Sequence, residues 1–241
     1  MNISIIVFPG ANCDRDAAYV TRDLLGQPTH LVWHEESDLQ NADLVIVPGG
    51  FSYGDYLRCG AIARFSPALQ ATIDHAQRGG WVLGICNGFQ ILTEAGLLPG
   101  ALVRNRDLHF VCDRQPLRVE RTNLIWTQAY ADQAVITLPI AHGEGCYYAD
   151  AETLQSLEAH QQIVFRYSSP QGEITETANP NGSLHNIAGI CNRQGNVLGM
   201  MPHPERAADS ILGQTDGLAL FKGVLTQSLQ AALEGLSGSD S

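Results

Sequence analysis

Residues 81–90 read Trp81-Val82-Leu83-Gly84-Ile85-Cys86-Asn87-Gly88-Phe89-Gln90, and they decide the fold class. The first five are apolar or small, the pattern of a strand buried on both faces. Residues 86–95 then read as a helix stopped by Gly96. Between strand and helix sits Gly84-Ile85-Cys86-Asn87-Gly88, a turn with glycines on either side of a possible nucleophile. Such a turn needs glycine because its backbone is strained and crowded, and a Cβ would strike neighbouring elements. It lifts Cys86 to the carboxyl end of a strand, where open α/β sheets bind ligands. It also sets the sulfur at a helix N-terminus, whose free N–H groups and macrodipole favour negative charge. The backbone N–H of Asn87 becomes a candidate donor to a developing oxyanion. The pentapeptide alone leaves two readings open, a nucleophile and a buried structural thiol.

Outward from this turn, the N-terminal half alternates strands and helices. Strands are expected at residues 3–8, 30–34 and 43–47, and helices at 14–25 and 66–77. The second helix has Ser66 as its N-cap, Pro67 at its first position and Gly79-Gly80 as its stop. The alternation predicts a doubly wound, mostly parallel sheet with helices on both faces. After Pro99 the segments 101–111, 117–120, 134–138, 163–167 and 187–191 are short, with turn-rich stretches such as Asn179-Pro180-Asn181-Gly182 between them. These predict antiparallel strands added to the same sheet. Residues 197–201 read as one more buried strand and 215–233 as a closing amphipathic helix. The expectation is a single α/β domain over 1–234 and a disordered tail over 235–241.

Composition narrows the function classes. The net charge of −11 argues against a nucleic-acid partner, because phosphate neutralisation needs clustered Lys and Arg. The six cysteines are scattered with no C-x-x-C pair, which argues against structural zinc, and no metal site is expected. A chain of 241 residues with 44% hydrophobic content builds a core without disulfides, so reduced thiols are expected. The apolar run at Ile3 has no basic flank and stops at Pro9-Gly10, unlike a signal peptide. No stretch reaches the roughly 20 apolar residues of a membrane span. A cytoplasmic location follows as an expectation.

Two further stretches bear on Cys86. Pro202-His203-Pro204-Glu205 follows an apolar strand, so His203 should also lie at a strand end. Glu205 stands two residues on, where in an extended segment it points the same way as His203. A cysteine, a histidine and a carboxylate orienting that histidine form the generalised catalytic triad. Pro48-Gly49-Gly50-Phe51 follows the third strand. If that strand neighbours the Cys86 strand, the N–H of Gly50 or Phe51 can complete an oxyanion hole. A phosphate loop is the competing reading, but no G-K-[ST] follows.

Residues 82–90 together with Pro202-His203-Pro204-Glu205 resemble the class I, triad-type glutamine amidotransferases, whose domain is flavodoxin-like. The resemblance implies Cys86 as nucleophile, His203 as base and acid, Glu205 as the residue orienting His203, and Gln90 as a contact to bound L-glutamine. Phe8-Pro9-Gly10-Ala11-Asn12-Cys13-Asp14, the long loop from Gly49 to Ala63, Pro139-Ile140-Ala141-His142-Gly143-Glu144-Gly145 and Asn179-Pro180-Asn181-Gly182-Ser183 resemble one branch of that family, which serves purine biosynthesis. That branch implies hydrolysis of L-glutamine through a Cys86 thioester. Its ammonia goes to a separate ATP-dependent synthetase subunit, which converts formylglycinamide ribonucleotide to its amidine. ATP and magnesium then belong to the partner, this chain needs no cofactor, and a small bridging subunit joins the complex.

The other cysteines read as structural, and Cys13 has no base supplied by its neighbours in sequence. His142-Gly143-Glu144-Gly145 reads as a turn at the rim of the glutamine pocket or as a docking surface, since a metal would need another ligand. Two other functional readings stay open here: an amidotransferase subunit for a different synthetase, and a cysteine-elbow hydrolase or chaperone on a similar sheet.

Overall fold

The structure is a computed structural model that describes the backbone of residues 1–237 and the side chains of residues 1–228. The strands are β1 (Ile3–Val7), β2 (Thr29–Trp33), β3 (Leu44–Val47), β4 (Trp81–Ile85), β5 (Ala101–Val103), β6 (Val111–Val119), β7 (Val135–His142), β8 (Cys146–Tyr148), β9 (Ile163–Tyr167), β10 (Ile187–Cys191) and β11 (Val197–Met200). The helices are α1 (Asp14–Ala18), α2 (Pro67–Gln77), α3 (Asn87–Glu94), α4 (Ala151–Ala159) and α5 (Leu218–Ser237). Among the described residues nine strands form one sheet in the order β2-β1-β3-β4-β11-β10-β9-β6-β7. The pairings from β2 to β11 are parallel and those from β11 to β7 antiparallel. This is the mixed α/β sheet expected from the sequence.

Burial follows pairing. Every side chain of β3 and β11 is buried, and β4 is buried from Val82 onward, as parallel strands covered on both faces must be. Each such Val, Leu or Ile contributes about 1.5–3 kcal/mol relative to an exposed one. By contrast β7 alternates exposed or partly buried with buried positions along its length, as an antiparallel strand with one covered face does. Ser66 caps α2 as the sequence predicts, its hydroxyl accepting from the Leu69 N–H at 3.2 Å, with Pro67 as the first helical residue.

Several boundaries differ from the sequence reading. The segment 101–111 is not one strand. Its start, β5, pairs with β8 in a separate two-stranded ribbon, and residues 104–110 form a loop before β6 begins. β6 extends through Asp113, Arg114, Gln115 and Pro116, a polar and proline-containing run that reads as a turn but is held by eight register pairs with β7. β8 and α4 went unpredicted. The first helix changes to a π-helical stretch at Tyr19–Leu24, where the Thr21 hydroxyl bonds back to Ala17 O at 2.9 Å. Helix α5 starts at Leu218 and takes in residues 235–237, which the sequence assigns to the tail; residues 238–241 lie outside the described residues.

Sheet order positions the chemistry. β3, β4 and β11 are adjacent and parallel, in register through Val47↔Gly84, Gly84↔Gly199 and Ile85↔Met200. Their carboxyl ends therefore open side by side, and the loop after β3, the turn after β4 and the turn after β11 meet. The turn after β4 closes tightly. A Cβ on Gly88 would collide with Val47 O, and one on Gly84 would lie 2.8 Å from Gly88 O. Gly88→Ala should accordingly cost ~1–3 kcal/mol of stability in a urea titration, as overpacking of a closed junction does. An unchanged midpoint would show that the junction is looser than described.

Candidate active site

Cys86 is the N-cap of α3 and holds φ 52° and ψ −107°, a backbone conformation that a residue with a Cβ rarely adopts. Its N–H donates to Met200 O at 2.8 Å, and its Sγ lies 3.7 Å from Ala141 O. Asn87, as the first residue of α3, has an N–H that the helix cannot use.

His203 arrives from the next strand. Its N–H donates to Pro139 O at 2.8 Å, anchoring the turn to β7. Its Nδ1 lies 2.6 Å from Glu205 Oε1, and both side chains are buried. The sequence paired them through an extended segment. Instead His203 precedes a 3-10 turn at Pro204–Ala207, and the pair meets across that turn. Burial by itself would lower the His203 pKa, but Glu205 and the neighbouring Cys86 and Cys13 reverse this and hold it well above the ordinary histidine value. Nε2 is buried and has no hydrogen-bond partner among the described residues, so it is the nitrogen left for chemistry.

Gly49 is the point around which these groups gather. A Cβ there would lie 2.8 Å from His203 Cε1, 3.0 Å from Cys13 Sγ and 3.4 Å from Cys86 Cβ. Gly50, at φ 143°, has no room for a Cβ either, with Ala11 Cα 2.7 Å from where it would stand. Of the two N–H groups proposed after β3, that of Phe51 is already donated to Gly10 O at 3.0 Å. The N–H of Gly50 is the one that remains.

The side chains of Asn87 and Gln90 are engaged with the protein. Asn87 accepts from the Ser52 N–H at 3.0 Å and donates to Gln90 Oε1 at 2.9 Å and Asp55 Oδ1 at 3.2 Å. Gln90 donates to Glu144 O at 2.6 Å. Gln90 thus ties α3 to the loop after β7 while forming part of a cavity wall.

Sequence reasoning missed Cys13 and Arg206. Cys13 Sγ lies 3.1 Å from Arg206 Nη2, and Cys13, His203 and Glu205 offer ligand atoms within 4.8 Å of one another. The base absent from the local sequence of Cys13 comes from the far end of the chain. Burial pushes the Cys13 thiol up, against the opposing pull of His203. Cys13 follows the carboxyl end of β1 and lies in the stretch Phe8–Asp14 that carries part of the resemblance, and these were the signals in the sequence.

Cys86 stands at the waist between two cavities that share Gly50, Phe51, Phe110 and Ala141. One, of about 110 Å³, is closed by Cys13, His203 and Arg206. The other, of about 150 Å³, is closed by Asp55, Cys59, His142 and Glu144. Three larger surface hollows, around His75, around Asp150 and around Arg58, touch neither Cys86 nor His203.

The wall of the second cavity is a buried polar network. Asn105 accepts from the Gly145 N–H at 3.0 Å and donates to His142 O at 2.9 Å and His109 O at 2.8 Å. Asn181 donates to Gly145 O at 2.8 Å. The Asn179–Ser183 loop and the His142–Gly145 turn, far apart in sequence, are therefore one structure.

A family model described as CobB/CobQ-like glutamine amidotransferase domain matches residues 1–217. The chain belongs to this glutamine amidotransferase family. Among its relatives is a protein of Acaryochloris marina named phosphoribosylformylglycinamidine synthase subunit PurQ, 73% identical over 93% of this chain and 96% of the relative. A protein of the same name from Gloeobacter violaceus is 68% identical over 95% of this chain and 99% of its own. The structure of PurLQS from Thermotoga maritima contains a chain that matches with a TM-score of 0.83 and 39% identity, covering 94% of this chain and 98% of that one. Membership in the amidotransferase family sets aside the hydrolase and chaperone readings.

Burial, with repulsion from His203 added, pushes the His142 pKa down from 6.5 to about 4. The unfolded chain then takes up a proton near pH 6.5 that the folded chain takes up only near pH 4, so stability is lost as pH falls through that window. At about 1.4 kcal/mol per unit the loss is roughly 3 kcal/mol. His142→Asn removes this term, so its stability relative to the parent should improve by roughly that much between pH 7 and pH 4. Urea unfolding at the two pH values checks it; a constant difference would mean that His142 titrates normally.

Proposed function

We propose that this chain is the glutaminase subunit of a phosphoribosylformylglycinamidine synthase. It hydrolyses L-glutamine to glutamate and ammonia and passes the ammonia to a separate synthetase subunit. The observation that carries the chemistry is Cys86 in its left-handed conformation at the head of α3, beside a histidine whose other nitrogen is held by a buried carboxylate. Near-complete coverage of the PurQ relatives supports the choice of synthase.

In the first half-reaction Cys86 Sγ attacks the δ-carbonyl carbon of glutamine. The thiol proton passes by way of His203 Nε2 to the amide nitrogen, the C–N bond breaks, and ammonia leaves a γ-glutamyl thioester. The N–H groups of Gly50 and Asn87 receive the oxyanion, and loss of one such donor costs ~10²–10³ in rate. In the second half-reaction His203 takes a proton from water, the water oxygen attacks the thioester carbonyl, and the proton returns to sulfur as glutamate departs. Glu205 keeps the proton on Nδ1 and steadies the imidazolium.

The partner is the ATP-dependent synthetase that converts formylglycinamide ribonucleotide to formylglycinamidine ribonucleotide. ATP and magnesium act there, a small bridging subunit completes the assembly, and the complex works in the cytoplasm. No helix among the described residues is long and apolar enough to cross a membrane.

The test uses the complex with its synthetase. Cys86→Ala should abolish glutamine-dependent amidine formation while leaving formation from added ammonium chloride intact. Reaction of the parent with 6-diazo-5-oxo-norleucine should add one label, at Cys86 and not Cys13. Glutamine-dependent turnover in Cys86→Ala, or a label on Cys13, would overturn the assignment. His203→Asn should lower glutamine turnover at least ~10²-fold under the same conditions.

A further inference from the structure

We propose that Cys13, His203 and Glu205 form a binding site for a thiophilic divalent cation of the zinc type, and that the bound ion halts glutamine hydrolysis. The site stands on geometry alone; the inhibition rests on the glutaminase reading above. Hydrolysis uses Cys86 Sγ, His203 Nε2 and Glu205 Oε1, which leaves two buried groups without a task. One is the Cys13 thiol, in a residue 2% exposed. The other is Glu205 Oε2, which is buried and has no hydrogen-bond partner among the described residues. A buried carboxylate oxygen left unpaired is costly, and in a native site it marks a place for an ion or a water.

The three residues already converge. Each offers one ligand atom, these atoms lie within 4.8 Å of one another, and all three residues are buried. Zinc bonds of about 2.0–2.3 Å in tetrahedral geometry set ligand atoms roughly 3.3–3.8 Å apart, so a closing shift of about 1 Å completes the contacts. Gly49 leaves the space for it, since a Cβ there would stand 2.8 Å from His203 Cε1 and 3.0 Å from Cys13 Sγ. The adjoining cavity of about 110 Å³, which Cys13 and His203 line, has room for a water as the fourth ligand.

The charges match a divalent ion. Cys13 as thiolate and Glu205 as carboxylate supply two negative charges, and a neutral His203 supplies a lone pair. Binding releases the thiol proton to solvent and ends the contact of Cys13 Sγ with Asn12 Oδ1 at 3.0 Å. Arg206, paired with Asp16 at 3.0 Å, keeps its Nη2 3.1 Å from Cys13 Sγ, the kind of outer donor that orients a ligating sulfur. Thiolate and imidazole select zinc over magnesium or calcium, which take oxygen ligands. The ligands lie 190 residues apart along the chain, so no motif announces them. An ion held here draws Glu205 from its task of holding Nδ1. It also sets positive charge beside the imidazole that must take the Cys86 proton, so hydrolysis stops.

The experiment titrates zinc chloride into the complex with its synthetase. Zinc should inhibit the glutamine-supported reaction and leave the ammonium-supported one intact. Cys13→Ser should raise the half-inhibiting concentration by at least ~10-fold, the least that loss of even an outer-shell partner costs. One equivalent of cobalt chloride added to the full chain reads the site without turnover. A sulfur-to-cobalt absorption band should appear in the parent and in Cys86→Ala and be lost in Cys13→Ser. Glu205→Gln, which keeps the side-chain shape, should weaken cobalt binding by ~10-fold or more and tests the site even where Cys13→Ser does not fold. Equal inhibition of both reactions, an unchanged half-inhibiting concentration or band in Cys13→Ser, unchanged cobalt binding in Glu205→Gln, or loss of the band in Cys86→Ala overturns the proposal. The glutaminase reading fails separately, on absence of Cys86 labelling by 6-diazo-5-oxo-norleucine in the metal-free parent.

Discussion

The left-handed backbone at Cys86 is the constraint on which the rest of the site depends. A β4 residue paired with β11 is followed at once by a helix that lies against β3, and the chain can turn that sharply only through a positive φ. The strain is of order 1–3 kcal/mol. It persists because Gly84 and Gly88 let strand and helix close to a distance that no Cβ would permit. With the turn set, three consequences follow together: the sulfur stands clear of the sheet, a helical N–H lies next to it, and the neighbouring strands deliver their own loops to the same point.

Around that turn the protein spends buried polar groups freely. Asn87, Gln90, Asn105, His142, Asn181, Ser183, His203 and Glu205 are all buried, a density that would be costly if the groups were unpaired. Nearly all are paired, and the pairs join segments distant in sequence. The atoms left over are informative. Two of them, Nε2 of His203 and Nε2 of His142, belong to residues that line the two cavities meeting at Cys86. One belongs to an imidazole pulled toward the protonated form by a carboxylate, the other to an imidazole kept neutral by burial.

How much of this was legible beforehand depended on the range of the interaction. The elbow, the His203–Glu205 pair and the parallel strands announce themselves within a few residues, through glycine spacing and continuous apolar runs. Gly50 was legible as a candidate donor, yet only the Phe51–Gly10 bond shows which of two adjacent N–H groups is free. The surroundings of Cys13 were not legible because its neighbours, His203 and Arg206, lie some 190 residues away. The polar stretch of β6 was misread for the same reason: its register with β7 overrides a local preference for turn. α4 has Asp150 as N-cap, accepting from the Thr153 N–H at 2.8 Å, a local signal that the short strands around it obscured.

The span of the site along the chain has a consequence for synthesis. Its walls come from Cys13, Gly50, Cys86, Ala141, His142 and His203, so the site is assembled from segments made far apart in time. A ribosome-bound chain lacking β11 has neither the neighbour that fixes β4 nor the histidine, and contacts of such long separation form late. A product truncated before β11 therefore lacks the histidine that the complete sheet sets beside Cys86.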